Sequence, residues 1–231
     1  MKKTLVLLVA LLLSASATAG ERLEYNLQVM GADYGTATMQ IDGQKVFATM
    51  KANQKWASIY NVDNSIASVL RSSGVPKRTE YAYKVADKEG RRDIFFGARN
   101  IRVKGKKVRN HKTSKPTHDP ISWMLRVRQK LSEGKGTTTL TFKVFSGARF
   151  YNVSCYPLPV QSISTALGEK LTQPYHVKVT RRGGNFKREM TMWFNLESKT
   201  NSFEPLRVTG KFKLGSAEAN LISVKTREGD K

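Results

Sequence analysis

The chain has 231 residues, with 40 lysines and arginines against 18 aspartates and glutamates, a formal net charge of +22 and a single cysteine. A charge of that size works against compaction by self-repulsion and favours anionic partners, while one cysteine excludes an internal disulfide, so stability must come from a packed core. The three histidines have no metal-ligand spacing, and there is neither a Gly-x-Ser-x-Gly elbow nor a glycine loop leading to a phosphate-binding lysine. No catalytic, metal or cofactor motif is therefore read from the chain.

The start reads Met1-Lys2-Lys3-Thr4, then almost continuously apolar from Leu5 to Leu13, then Ala17-Thr18-Ala19 before Gly20. This is the pattern of a secretory signal peptide over residues 1–19, too short for a permanent span, followed by one mainly β domain over residues 20–231. The leader holds two lysines, which leaves a mature chain at a net +20. No cysteine follows the cleavage site, so a soluble periplasmic protein without a lipid anchor is expected. The polyanions of that compartment are lipopolysaccharide, phospholipid head groups and peptidoglycan carboxylates.

Leu23, Tyr25, Leu27 and Val29 alternate with polar residues, as do Ala37, Met39 and Ile41, and then Val46, Ala48, Met50 and Ala52. Period two marks half-buried strands, and Asp42-Gly43 suits the tight turn of a hairpin. From Trp56 to Leu70 the pattern is mixed and is read as two short strands about a turn at Asp63-Asn64-Ser65. Strands are expected over 79–85 and 92–99. A basic block follows, in which eight cations, Arg99, Arg102, Lys104, Lys106, Lys107, Arg109, Lys112 and Lys115, lie between Asp93 and Asp119 without an intervening carboxylate. Blocks of like charge are often only solvated loops, here a hairpin about Lys104-Gly105-Lys106. The block lacks interleaved aromatic residues on which bases could stack, which argues against sequence-specific nucleic-acid recognition.

Asp119-Pro120 opens the one long helix, Asp119 capping a first-turn amide and Pro120 occupying a position where its missing N–H is not needed. Ile121, Trp123, Met124, Leu125, Val127 and Leu131 form its apolar arc, and the helix stops before Gly134. Arg128 falls inside that arc, where it either snorkels outward, the expected outcome, or meets a carboxylate or an anionic ligand. Hairpins follow over 138–156, closed by Pro157-Leu158-Pro159, then a loop over 162–173, strands about Tyr175–Val179 and Met190–Phe194, and a final pair, 206–214 and 217–224. The expected fold is a strongly curved antiparallel sheet or open β-barrel of about twelve strands, with the helix packed on its concave face.

Tyr34-Gly35-Thr36-Ala37, Asp63-Asn64-Ser65-Ile66 with Val75-Pro76, Asp119-Pro120-Ile121-Ser122 with Leu125-Arg126, Arg149-Phe150-Tyr151, Trp193-Phe194, Pro205-Leu206 and Gly215-Ser216 form an ordered set. Together they make the chain similar to the bacterial exported family of domain of unknown function 3108. The resemblance implies a periplasmic, mainly antiparallel β domain around a helix, and it brings no activity with it.

Three functions are carried forward. The first is a non-enzymatic periplasmic binding or envelope-maintenance protein whose basic surface, Arg99, Arg102, Lys104, Lys106, Lys107 and Arg109 with Arg128, takes an anionic envelope component such as lipopolysaccharide, phospholipid or peptidoglycan. The second is a carrier of a lipid or other apolar ligand in a cavity lined by Met39, Met50, Met124, Met190 and Met192, although methionine more often fills ordinary core. The third is a cell-wall enzyme, for which His118-Asp119 is the best acid/base pair and Cys155 with His176 a remote thiolate pair.

Overall fold

The computed structural model describes residues 20–57, 62–85, 88–181, 183–198, 202–212 and 215–226. The signal-peptide assignment over 1–19 lies outside them. The first half of the chain forms β1 (Glu21–Val29), β2 (Ala32–Asp42), β3 (Lys45–Ala52), the short helix α1 (Gln54–Ala57), β4 (Val62–Leu70), β5 (Pro76–Val85), β6 (Lys88–Phe96), β7 (Asn100–Lys104) and β8 (Arg109–Lys112). Helix α2 (Ser122–Ser132) then leads to β9 (Leu140–Ser146), β10 (Arg149–Pro157), β11 (Gln161–Thr165), β12 (Gly168–Arg181), β13 (Lys187–Asn195), β14 (Pro205–Phe212) and β15 (Gly215–Thr226).

Among the described residues these strands make one antiparallel sheet of fifteen strands, in the order β8 to β1, then β15 to β12, then β10 and β9, with β11 on the side of β12. The chain therefore starts in the middle, walks to one edge by hairpins, crosses through α2 to the other edge and walks back until β15 pairs with β1. Neighbouring strands are joined mostly by tight turns, so every ladder is antiparallel. At Gly35 the β2 backbone comes so close to β3 that an added Cβ would sit 2.1 Å from the Lys51 carbonyl oxygen, which is why only glycine fits there.

The sheet curls round α2 without closing. Leu23, Tyr25, Met39, Ile41, Val46, Ala48, Met50, Val177, Met192, Val208 and Leu221 share one core with Ile121, Trp123, Met124, Leu125, Val127 and Leu131 of the helix segment. The two free edges, β8 and β9, meet through side chains rather than a ladder: the His111 ring lies 5.0 Å from Phe145 and 6.2 Å from Phe150. The segment before α2 straps the β9 edge, because the His118 N–H donates to the Lys143 carbonyl and the Phe145 N–H to the His118 carbonyl, both at 2.8 Å. A small second core of Ile94, Phe96, Ile101, Val103 and Phe145 fills the seam.

Several expectations need correction. Among the described residues the strand count is fifteen rather than about twelve, and the short α1 is present besides the principal helix. Asp63-Asn64-Ser65 is not a turn but the first part of β4, where Asp63 is exposed and Asn64 buried in ordinary alternation. The loop expected over 162–173 is instead β11 and the start of β12, a polar hairpin whose serines and threonines gave no hydrophobic period. Pro174 survives inside β12 because the ladder partner on one side changes there from β11 to β10, so no strand bond is asked of its missing N–H. The helix begins at Ser122, two residues later than Pro120, although Asp119 still serves its amides.

Candidate functional site

The eight cations of the basic block are all exposed, and among the described residues none lies within ion-pairing distance of a carboxylate. Strand alternation explains the display: Ile101 and Val103 of β7 enter the seam core, so Arg102 and Lys104 must face outward. The nearest strands hold three carboxylates, of which Glu89 lies at the far end of β6 opposite Lys84, while Asp93 is engaged by Arg78 at 2.6 Å and Glu80 by Arg91 at 2.7 Å. Phe95 supplies an aromatic ring on this face, with Arg78 and Lys104 over it at 5.5 and 5.3 Å. Lys106 and Lys107 lie in the β7–β8 turn, Arg109 and Lys112 on β8, and Arg99 just ahead of β7. Because β8 is a free edge, these charges also repel other edge strands and so protect the sheet from pairing with a second molecule.

Arg128 does not belong with them. It is completely buried, which overturns the expected snorkelling: its Nη2 donates to both oxygens of Glu21, at 3.1 and 3.0 Å, and its Nε to the Ser202 carbonyl. The helix leaves no path outward for this side chain, because α2 lies inside the curled sheet rather than on its rim. Glu204 joins the cluster, accepting from Ser198 at 2.9 Å, from Asn195 at 3.1 Å and from the Ser202 hydroxyl. Burial lifts the Glu21 carboxyl above its ordinary range against the pull of Arg128. Although burial works the other way at Glu204 too, the hydroxyl donors and Arg128 hold that carboxyl below its usual value. Glu21 had a readable signal, since it continues the inward series Leu23, Tyr25, Leu27; Glu204, in an irregular approach to Pro205, had none.

The acid/base candidates are committed to structure. Asp119 is fully buried and accepts from the Ile121 and Ser122 amides at 2.9 and 2.6 Å and from the Ser68 and Thr79 hydroxyls at 2.5 Å each. It thereby caps α2 and ties it to β4 and β5. The His118 Nδ1 lies 3.2 Å from the Ser122 hydroxyl, its ring edge-on to Phe142, and burial pushes its pKa down to about 4. Cys155 and His176 cannot pair, because Cys155 faces the core while Tyr156 and His176, cross-strand partners, face out. Burial pushes the Cys155 thiol far above its ordinary value, which suits an inert side chain. No cluster of three or more potential metal ligands occurs among the described residues.

Met39, Met50, Met190 and Met192 of the sheet and Met124 of α2 are all buried in the main core. Two open grooves lie elsewhere, one of about 580 Å³ beside His176, Lys187, Thr191, Thr209 and Lys211, the other of about 490 Å³ beside Asp63, Tyr83, Lys84 and Arg91. None of the described helices is long and apolar enough to cross a membrane.

Residues 24–222 match the family model described as a protein of unknown function, DUF3108. The chain belongs to the DUF3108 family. Among solved structures it is similar to the β-barrel-like protein of domain of unknown function DUF1849 from Brucella abortus, at 12% identity and a TM-score of 0.64, over 93% of this chain and 100% of that one. That likeness shows the fold, a barrel-like sheet shared by two families of unknown function. A protein titled as exported with a YmcC-like fold, from Bacteroides fragilis, aligns at 9% identity and a TM-score of 0.39 over 93% of this chain and 99% of that one. A LolA superfamily protein from Nitrosomonas europaea aligns at 11% identity and a TM-score of 0.27 over 99% and 94%. No curated protein matches the chain.

Proposed function

We propose that this DUF3108 protein is a non-enzymatic periplasmic binding or envelope-maintenance protein that holds an anionic envelope component, lipopolysaccharide, phospholipid or peptidoglycan, against the cationic β7–β8 hairpin. One observation carries the reading: eight exposed cations without a carboxylate partner, beside two carboxylates that are already bonded to other arginines. Cations left unpaired on a fixed strand and turn attract a phosphate or carboxylate array at little cost, because their hydrated side chains need no rearrangement of the fold. The folded position of His118, Asp119, Cys155 and His176 supports a binding role over a chemical one, since each acid/base candidate is buried, bonded or facing away from its partner.

The test replaces Lys104, Lys106, Lys107 and Arg109 together by serine and compares retention on immobilised lipopolysaccharide, on phosphatidylglycerol vesicles and on peptidoglycan sacculi. The proposal expects retention on at least one to drop by tenfold or more while the thermal midpoint is unchanged. Equal retention of both proteins on all three would overturn it.

A further inference from the structure

At one end of the curled sheet the inward alternation of three neighbouring strands runs out of apolar residues and into arginine. On β10, Val153 and Cys155 face the core, so Tyr151 and Arg149 share their face. On β12, Val177 and Val179 lead in the same way to Arg181. On β13, Met192 and Met190 lead back to Arg188 and, just ahead of the strand, to Phe186. The register sets these residues side by side: Tyr151 lies opposite Arg181, Val179 opposite Arg188, and the Arg181 N–H donates to the Phe186 carbonyl at 3.1 Å. Arg149 is exposed and the other four are half-buried, so the cluster can be reached from the end of the sheet.

Two rings tie the arginines together. Tyr151 and Phe186 meet edge-on at 5.5 Å, and the Arg188 guanidinium lies over Phe186 at 4.8 Å. Burial raises the Tyr151 phenol while Arg149 and Arg181 pull it back down, so both charges stand near its hydroxyl. Across the curl is Tyr81 of β5, whose phenol is raised well above its ordinary range by burial, with Asp119 and Tyr151 adding to the rise. Among the described residues none of the three arginines has a carboxylate within ion-pairing distance. Glu189, the nearest along β13, faces out by alternation and is held by Lys187 at 2.9 Å. One donor is stranded: the Arg188 Nε–H is buried and meets no acceptor, although Nη1 donates to the Lys187 carbonyl at 2.7 Å. Leaving a buried donor of a charged group unmatched is costly, and an acceptor brought by a ligand removes that cost.

We infer that Arg149, Arg181 and Arg188 form a site for a phosphomonoester, whose organic group lies along Tyr151. At neutral pH such a group carries about −1.5 to −2 charges and three strong acceptor oxygens, a closer match to three guanidiniums than a single carboxylate. Guanidinium forks engage pairs of phosphate oxygens, which gives the site geometry as well as charge. The aromatic ring beside them offers an apolar surface to whatever bears the phosphate. The recognised chemistry is the same whether a soluble molecule or a lipid head group carries it. This inner face of β10, β12 and β13 is separate from the β7–β8 hairpin, so the inference goes beyond the reading of that hairpin and stands without it.

The test titrates the full mature chain with inorganic phosphate and with phenyl phosphate by calorimetry at fixed ionic strength. Phenyl phosphate is expected to bind the more tightly of the two, because its ring adds contact with Tyr151. Replacing Arg181 and Arg188 together by glutamine is expected to weaken it on the order of tenfold per arginine. The serine variant of Lys104, Lys106, Lys107 and Arg109 is expected to bind it as the wild type does. A second measurement needs no variant: phenylglyoxal modifies arginines, and phenyl phosphate is expected to protect Arg149, Arg181 and Arg188 while Arg99, Arg102 and Arg109 stay reactive, read by peptide mass. Vesicles containing phosphatidic acid present the same group on a lipid. Vesicle retention that falls in the double glutamine variant assigns the phosphate to a lipid, and binding of the soluble ester alone assigns it to a solute; either supports the site. Equal affinity of wild type and double variant, protection of the hairpin arginines instead, or loss of binding in the serine variant would overturn it. So would a wild type that binds phenyl phosphate no better than inorganic phosphate.

Discussion

Arg128 and the block from Arg99 to Lys115 carry the same kind of charge in opposite surroundings. Arg128 sits inside the curled sheet, where removal from water must be offset by Glu21, Glu204 and the Ser202 carbonyl. The block stands in water, and the carboxylates nearest it, Asp93 and Glu80, are bonded to other arginines. A buried cation is therefore specified by its partners and belongs to the fold, whereas cations held apart from partners are free to meet something else.

The contrast is broken most directly at its buried end. Arg128→Met leaves two carboxylates in the interior without their cation and is expected to cost about 3–5 kcal/mol in urea unfolding, while Glu21→Met with Arg128→Met together should recover much of that loss. Lys106→Ser should move stability by less than about 0.5 kcal/mol. A neutral Arg128→Met would erase the distinction.

His118 gives the next largest effect. Because burial holds its pKa down to about 4, the unfolded chain takes up a proton near 6.5 that the folded chain refuses. Stability is therefore fully present above pH 6.5 and falls as the pH drops toward 4, by about 3 kcal/mol from this residue. His118→Gln should flatten that part of the pH–stability curve, and a curve of unchanged slope would contradict the assignment.

Asp119→Asn is expected to cost about 1–2 kcal/mol, since one amide oxygen can still serve the Ile121 and Ser122 amides while Ser68 and Thr79 must turn to accept rather than donate. Its signature would be weakened amide-exchange protection at the start of α2. The smallest stability effect belongs to the fourfold serine variant of the basic hairpin, whose thermal midpoint should stay put or rise slightly as self-repulsion falls.

Much of this architecture was legible in the residues. Alternation placed β1 to β3, the Asp42-Gly43 turn and the late hairpins, and the apolar arc from Ile121 to Leu131 named the helix face that is buried. The basic block could be read as exposed because eight cations in a row without a carboxylate have no way to be buried together. What escaped was anything set by distant partners. Arg128 looked free to reach water because a helix pattern does not say how far a sheet wraps round the helix, and here only the side bearing Arg126, Gln129 and Lys130 stays partly open. Asn64 looked like a turn residue because Asp-Asn-Ser is turn chemistry, and only pairing with Met50 and Tyr83 holds it in a strand. Likewise β11 and the start of β12 are polar, and their hairpin is secured by ladder bonds rather than by a hydrophobic period.

The measurement that bears most directly on the central claim is the salt dependence of binding to purified lipopolysaccharide, phosphatidylglycerol vesicles and sacculi, for the wild type and for the variant with Lys104, Lys106, Lys107 and Arg109 replaced by serine. The account predicts tight binding to at least one at low salt that weakens steeply as salt rises, and a variant that binds less tightly with a shallower dependence. Identical affinity and identical salt dependence in the two proteins would contradict it.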